Sequence, residues 1–393
     1  MADTGFRPGD RLTGMDFEAH NAEVRAVFEA MTAGKPIRTP VILGINTRYW
    51  MLSKDNPPPV DFKTYFNDAD AMFDTQLWCH RWTRFNILHD AELGLPEYWQ
   101  IAPDFQNVYE AGWLGCPIEF PENQVPSSKV AFADCPERIM EHGIPDPFSN
   151  LLEKGYEFQE RYIEREKAGE EYCGRPVKAI TSGFGLGTDG PMTVACNVFG
   201  ADFVCTTLAA DPDRMHKLLD FITEATIHRI KSWRKRYGAP IISDGWMAAD
   251  DSIALISTRM YREHILPYHK RIFDAFASQV RRGIHLCGDA SRHFKTIREE
   301  LNVTVFDTGF PMDFAWVREQ LGPDVLIQGG PHVDLLLDGT PDEVTLETKR
   351  ILESGILEGG RFILREANNL APNTPLENTE AMYHAGRKYG YHL

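Results

Sequence analysis

Several features are missing from this 393-residue chain, and each absence removes a class of function. No apolar run reaches the roughly 18 to 20 residues that a membrane-spanning helix needs. The first residues, Met1 to Gly5, show neither a basic stretch nor an apolar core, so they do not read as a secretory signal. Basic charge is short: 41 Lys and Arg stand against 57 Asp and Glu, a formal balance of −16. Such a chain repels phosphate backbones and anionic lipid, so neither nucleic acid nor a membrane surface is expected as a partner. Cysteine is sparse, and its number is odd. Cys79, Cys116, Cys135, Cys173, Cys196, Cys205 and Cys287 are scattered in a way that favours reduced thiols in the cytoplasm over a disulfide framework. Asn302-Val303-Thr304 then reads as a chance match to a glycosylation acceptor. Low-complexity tracts and internal repeats are also missing.

What is present is an ordinary globular composition, with 43% hydrophobic and 25% charged residues. Residues 1–38 read as an N-terminal arm with a helix near 16–32, and residues 39–393 as a single domain. The segment 53–176 is irregular, holding the Asn-Pro-Pro-Pro run at 56–59 and a highly charged helix near 151–168. From about residue 177 the pattern becomes regular. Short apolar runs at 177–182, 240–243, 283–287, 303–307, 325–328 and 361–364 read as strands. Amphipathic stretches at 213–237, 258–281, 292–301, 313–321, 341–354 and 375–389 read as helices. Residues 39–46 look like the first strand. Strands alternating with helices predict a parallel sheet covered by helices, and the number of units favours a closed α/β (β/α)8 TIM barrel with long insertions in its first half.

Polar residues cluster after these strands. Asp244 follows the 240–243 run; His285, Cys287 and Asp289 follow or end the next; Asp307 follows the third. His332 lies just past the 325–328 run, and Arg365, Glu366, Asn368 and Asn369 follow 361–364. Asn46 and Arg48 follow the first strand. In a parallel barrel these ends converge on one mouth, where chemistry is done. His285 and Cys287, two apart on a strand, point to the same side and are candidate ligands of one ion. The string Gly185-Leu186-Gly187-Thr188-Asp189-Gly190 matches a dinucleotide-binding pattern, but Pro191 follows at once, so it reads as a flexible loop. Asp250-Asp251 reads as a solvated or helix-capping pair. Tyr261, His264, Tyr268 and His269 read as packing residues of one helix.

The stretch GPMTVACNVFGADFVCTTLAADPDRMHKLLDFITEAT resembles a segment of the uroporphyrinogen decarboxylase superfamily. IISDGW, ISTRMYREHILPYHKRIFDAF, GGPHVDLLLDGTPDEV and TPLENTEAMYHAGRKYGYH are similar to its later segments, with a fainter likeness in KPIRTPVILGINTRYW. The resemblance implies the (β/α)8 barrel. In the heme-pathway branch an RQAGRY-like motif binds propionates. Here the matching stretch keeps Arg48 and Tyr49 without the first arginine. The corrinoid-dependent methyltransferase branch is closer, because its zinc motif is a His-x-Cys at a strand end followed by a later Cys. His285-Leu286-Cys287 matches the first part, and Asn368 stands where the second cysteine would be. The third ligand must then be an oxygen, with Glu366 the expected donor.

What the resemblance implies is a methyltransferase, transferring methyl between a small O-, N- or S-methyl compound and a corrinoid carried by a partner protein. Zinc would sit on His285, Cys287 and Glu366. Asp244, Glu366 and Asp289 would position or protonate the leaving group, and Asn46, Arg48, Arg365, Asn368 and His332 would contact substrate. The superfamily also makes a homodimer an expectation. One alternative is a metal-independent decarboxylase of a uroporphyrinogen-like or smaller acid, using Asp244. Another is a non-catalytic binding protein that has kept the barrel.

Overall fold

A computed structural model of the chain describes residues 5–54, 60–181 and 184–391. Residue 182 of the expected 177–182 strand and the 56–59 run lie outside the described residues. The chain forms two compact units: Met1–Ile101, Glu164–Lys178 and Asp307–Leu393 make the first, and Ala102–Ile163 with Ala179–Phe306 the second. The strands used below are β1 (Trp99–Ile101), β2 (Arg175–Ala179), β3 (Trp246–Ala249), β4 (Arg282–Leu286), β5 (Val303–Thr308), β6 (Leu326–Gly329) and β7 (Phe362–Leu364). Among the described residues no single helix is long and apolar enough to cross a membrane.

In the second unit β3 pairs in parallel with β4, with Trp246 opposite Arg282 and Ala249 opposite His285. β5 is the next neighbour of β4. β4, β5, β6 and β7 begin and end within a residue or two of the predicted bounds, whereas β2 spans 175–179 in place of the expected 177–182, and the expected first strand, 39–46, is reduced to an isolated bridge at Val41. Residues 240–242, expected as strand, are not one, and Ile241 and Ile242 are exposed. Arg234, on the helix Pro212–Arg236, donates instead to the Pro240 and Ile241 carbonyls. Gly245, at φ +80°, turns the chain, and the strand begins at Trp246, whose ring is buried. Asp244 therefore precedes β3 rather than ending it. It is exposed and accepts a bond from the Ser278 hydroxyl.

The expected helix 258–281 is also divided, into Thr258–Met260, a wide π turn at Tyr261–Ile265, and Leu266–Phe276. Pro267 has no N–H to return to the preceding turn, and the wide turn absorbs the missing bond.

In the first unit β7 pairs in parallel with β6, Phe362 opposite Ile327. β1 and β2 are neighbours in a separate small sheet. Residues 39–46 bond to β7 only briefly: Ile42 N donates to Leu364 O, and Leu364 N to Pro40 O, both at 2.9 Å. Side chains replace a neighbouring strand on the other edge. Val41 N donates to Asp90 Oδ2 at 2.7 Å, and Leu43 N donates to His89 Nδ1 at 3.2 Å. Asp90 is fully buried and takes two bonds from the equally buried Arg38, at 2.5 and 2.8 Å. Arg38 also reaches Glu23, at 3.0 Å, on the helix Phe17–Thr32. The N-terminal arm is thereby tied into the first unit.

Two predictions come from this edge. Asp90→Asn removes the charge opposite a buried guanidinium and should lower unfolding stability by about 3–5 kcal/mol in chemical denaturation. Burial holds His89 down to about 4, below its ordinary value near 6.5. A histidine kept neutral in the fold stabilises fully above about 6.5, and that contribution is lost as pH falls towards 4, at up to about 1.4 kcal/mol per pH unit. His293 in the second unit, also held to about 4 by burial, adds a second such step. A melting-temperature series from pH 7 to 4.5 should fall accordingly. His89→Asn, which keeps an acceptor for Leu43 N, should flatten the decline.

Candidate metal centre

The geometry at the ends of β3 and β4 is set by their pairing. His285 lies in β4 and Cys287 directly beyond it, so the period of two turns both to one side. Ala249 is opposite His285, and continuing that register places Asp251 opposite Cys287. The contact is made: Cys287 N donates to Asp251 Oδ1 at 2.7 Å. His285 Nε2 lies 4.0 Å from the same oxygen. One ligand atom from each of Asp251, His285 and Cys287 falls within 4.8 Å of the other two. All three side chains are half-buried.

Asp250 aims Asp251. Its carboxylate is fully buried and accepts from Met192 N at 3.1 Å, Thr193 N at 2.7 Å and Thr193 Oγ1 at 2.8 Å. It caps the helix Pro191–Phe199 from outside that helix, and takes a further bond from His269 Nε2 at 2.8 Å. The expected capping role holds for Asp250, whereas Asp251 faces the ligand group. His269 and Tyr261 are buried, as packing residues should be, but His269 also joins this polar chain. Gly190, at φ +85°, is required here: a Cβ would meet Ala249 O at 2.2 Å and Asp250 Cβ at 2.5 Å.

The loop before Gly190 is held by a buried ion pair. Arg229 Nη2 bonds Glu110 Oε1 at 2.5 Å, and the guanidinium also donates to the Gly185 and Gly187 carbonyls at 2.8 and 2.9 Å. Glu110 Oε2 accepts from Asp189 N at 2.6 Å. The Gly-rich string is thus a braced loop, and it brings Asp189 into the field of Asp251. Burial first, then Glu110 and Asp251, push the Asp189 carboxyl up to about 8. Burial and Asp251 push the Cys287 thiol up to about 12. These acids crowd one another in the absence of a cation, and a bound divalent ion would reverse the shift on the thiol.

The other predicted site residues fall elsewhere. Glu366, the expected oxygen ligand, is not in the group: it is fully buried in the first unit, both its oxygens accept from Gly44 N at 3.1 and 3.0 Å, and Arg365 donates to it at 3.0 Å. The carboxylate that stands within reach of His285 and Cys287 is that of Asp251. Arg365 also pairs with Asp307 at 3.2 Å, so its charge is neutralised internally. Asn46, Asn369 and Asn368 form one hydrogen-bonded chain, with steps of 3.0 and 3.2 Å. Asn46 also caps the short helix Thr47–Met51, on which Arg48 is half-buried. His332 Nδ1 accepts from Asp334 N at 3.0 Å, capping the helix Val333–Asp338, and its ring lies against Phe310. Asp289 is exposed on the turn after β4. The residues missed from the sequence are Asp251 and Asp189. Their signals were an acidic pair directly after the apolar Trp-Met-Ala-Ala run, and an acid inside a Gly-rich loop.

Elemental analysis separates the two ligand sets. The wild type should bind about one divalent ion per chain, and both Cys287→Ser and Asp251→Asn should lose it. Asp244→Asn should keep it. Full metal retention in Asp251→Asn would remove the carboxylate from the set.

Comparison with known proteins bears on the family and the fold. Residues 24–389 match the family model described as uroporphyrinogen decarboxylase (URO-D). A methylated-thiol–coenzyme M methyltransferase of Methanosarcina mazei is 31% identical over 198 residues, 50% of this chain and 50% of that protein. The methylcobamide:CoM methyltransferase MtbA of Methanosarcina acetivorans is 24% identical over 293 residues, 73% of this chain and 79% of that one. The chain spans about half the length of the first curated relatives it matches. A solved structure titled a methyltransferase from Methanosarcina mazei superposes with a TM-score of 0.63 at 19% identity, covering 93% of this chain and 98% of that one. The parallel strand–helix order and the extent of the family match lead to one conclusion: this chain is a (β/α)8-barrel member of the uroporphyrinogen decarboxylase family.

Proposed function

We propose that this protein is a methyltransferase that moves a methyl group between a small O-, N- or S-methyl compound, or a thiol, and a corrinoid carried by a separate protein. The observation that carries the reading is the Asp251, His285 and Cys287 group at the ends of adjacent strands. The names of two relatives support it, since one specifies a methylated thiol and the other a methylcobamide. Imidazole, thiol and carboxylate within one ion's reach suit zinc and leave a position for an exchangeable ligand. When bound, such an ion supplies Lewis acidity and favours the thiolate form of a bound thiol.

The chain's own residues do the rest. Asp251 takes the place of a second sulfur ligand, because no cysteine follows Cys287. An oxygen donor passes less electron density than sulfur, which makes the centre more electrophilic. Asp250, through its four hydrogen bonds, keeps Asp251 from rotating away. Asp189, held on the braced loop in the field of Asp251, would carry a proton to or from the reacting heteroatom. The decarboxylase alternative leaned on Asp244 at a strand end, and that carboxylate stands exposed ahead of β3.

Methyl transfer from methylcobalamin to a small thiol, followed by the cobalamin absorbance, tests the proposal. Cys287→Ser and Asp251→Asn should lower kcat/KM on the order of 100-fold or more. Full turnover in Cys287→Ser, with its metal gone, would rule the reading out.

A further inference from the structure

The first unit contains a cavity of about 900 Å³ that no role described so far uses. We infer that it is a binding site for a planar aromatic carboxylate. Its wall carries three indole rings, from Trp50, Trp78 and Trp82, together with Tyr49. Trp78 and Trp82 are one turn apart on the helix Ala69–Asn86, so they share a face. Tyr49 and Trp50 pack against Trp82 with ring centroids 5.8 and 5.4 Å away. The indole N–H of Trp50 is buried and finds no acceptor among the described residues. Flat aromatic walls favour a flat aromatic ligand, through offset stacking. The volume exceeds what a methylated amine or thiol would fill and falls at the upper end of small-molecule sites, roughly 300–1,000 Å³.

The charge of the ligand follows from the cations at the rim. Arg81 is neutralised by Asp10, and Arg11 by Glu377 and Glu380. Arg7 and Lys54 have no carboxylate partner among the described residues. The Arg7 guanidinium donates to the Tyr172 hydroxyl at 3.0 Å and to the Cys173 sulfur at 3.6 Å. In a chain of charge −16, two cations on one cavity without a carboxylate partner among the described residues are unusual. Both are held in place through their backbone. Arg7 N donates to Asp10 Oδ2 at 2.6 Å, and Asp10 is itself clamped to Arg81. Lys54 N donates to Asn373 Oδ1 at 3.2 Å, while the Tyr49 hydroxyl donates to Thr374 O at 3.0 Å. An anion reaching Arg7 and Lys54 with its ring against the indoles uses every one of these features. This inference does not depend on the methyl-transfer proposal.

Calorimetric titration of the full chain with 2-naphthoate tests it. One site per chain is expected. 2-Naphthalenemethanol, the same ring without the charge, and cyclohexanecarboxylate, the charge without the aromatic ring, should each bind about tenfold more weakly or worse. The double variant Arg7→Ala/Lys54→Ala, at exposed positions that leave the core intact, should bind naphthoate no better than the wild type binds the alcohol. Cys287→Ser should bind naphthoate as the wild type does. The inference fails if naphthoate does not bind or if the double variant binds it undiminished. It also fails if binding disappears in Cys287→Ser, which would place the carboxylate on the metal centre.

Discussion

Much of the second unit's chemistry hangs on one buried carboxylate, that of Asp250. Four donors converge on it: two backbone amides and a hydroxyl at the start of the helix Pro191–Phe199, and the ring of His269. A buried carboxyl group is stable only when its oxygens are bonded, and here they are. That satisfaction also fixes direction. With Asp250 turned into the protein, the next side chain must turn the other way, and the β3–β4 register sets it beside Cys287. One carboxylate does structural work, and its neighbour is left facing His285 and Cys287.

A second buried pair performs the same service for the loop. Arg229 and Glu110 lie almost entirely inside the protein, and their remaining bonds go to the Gly185 and Gly187 carbonyls and to Asp189 N. The loop is thus braced along its length. The result is a crowd of acids, Asp189, Asp251 and the Cys287 thiol, beside an Arg229 that is already paired with Glu110. Burial and mutual repulsion raise Asp189 to about 8 and Cys287 to about 12. Such crowding costs stability in a bare protein, and a divalent cation relieves it directly. Clusters of this kind belong to functional sites more often than to scaffolds.

The first unit solves a different problem. Residues 39–46 bond to β7 along one side only, and their other side would expose amides that a longer sheet would have paired. Asp90 and His89 take those amides, and Arg38 compensates the Asp90 charge. Glu366 and Arg365 are consumed in a similar way, bonding Gly44 and Asp307. Residues that look reactive in the sequence are here the fasteners of a strand edge.

Read by itself, the sequence determined the alternation of strand and helix, the positions of β4 to β7 to within a residue or two, and the pairing of His285 with Cys287. Those follow from local periodicity, which a chain carries whatever it folds against. The tertiary structure decided the rest. Pro-Ile-Ile-Ser and Trp-Met-Ala-Ala are both short apolar runs. Only the capture of the Pro240 and Ile241 carbonyls by Arg234, a side chain on the preceding helix, selects the second as the strand. That choice moves the strand-end acid from Asp244 to Asp251. The third member of the His285 and Cys287 group is likewise a matter of register between β3 and β4, a pairing of residues 36 positions apart that no local pattern encodes. Charge compensation is equally non-local: whether Glu366, Arg365, Arg7 or Lys54 is spent or available depends on partners that folding brings to it.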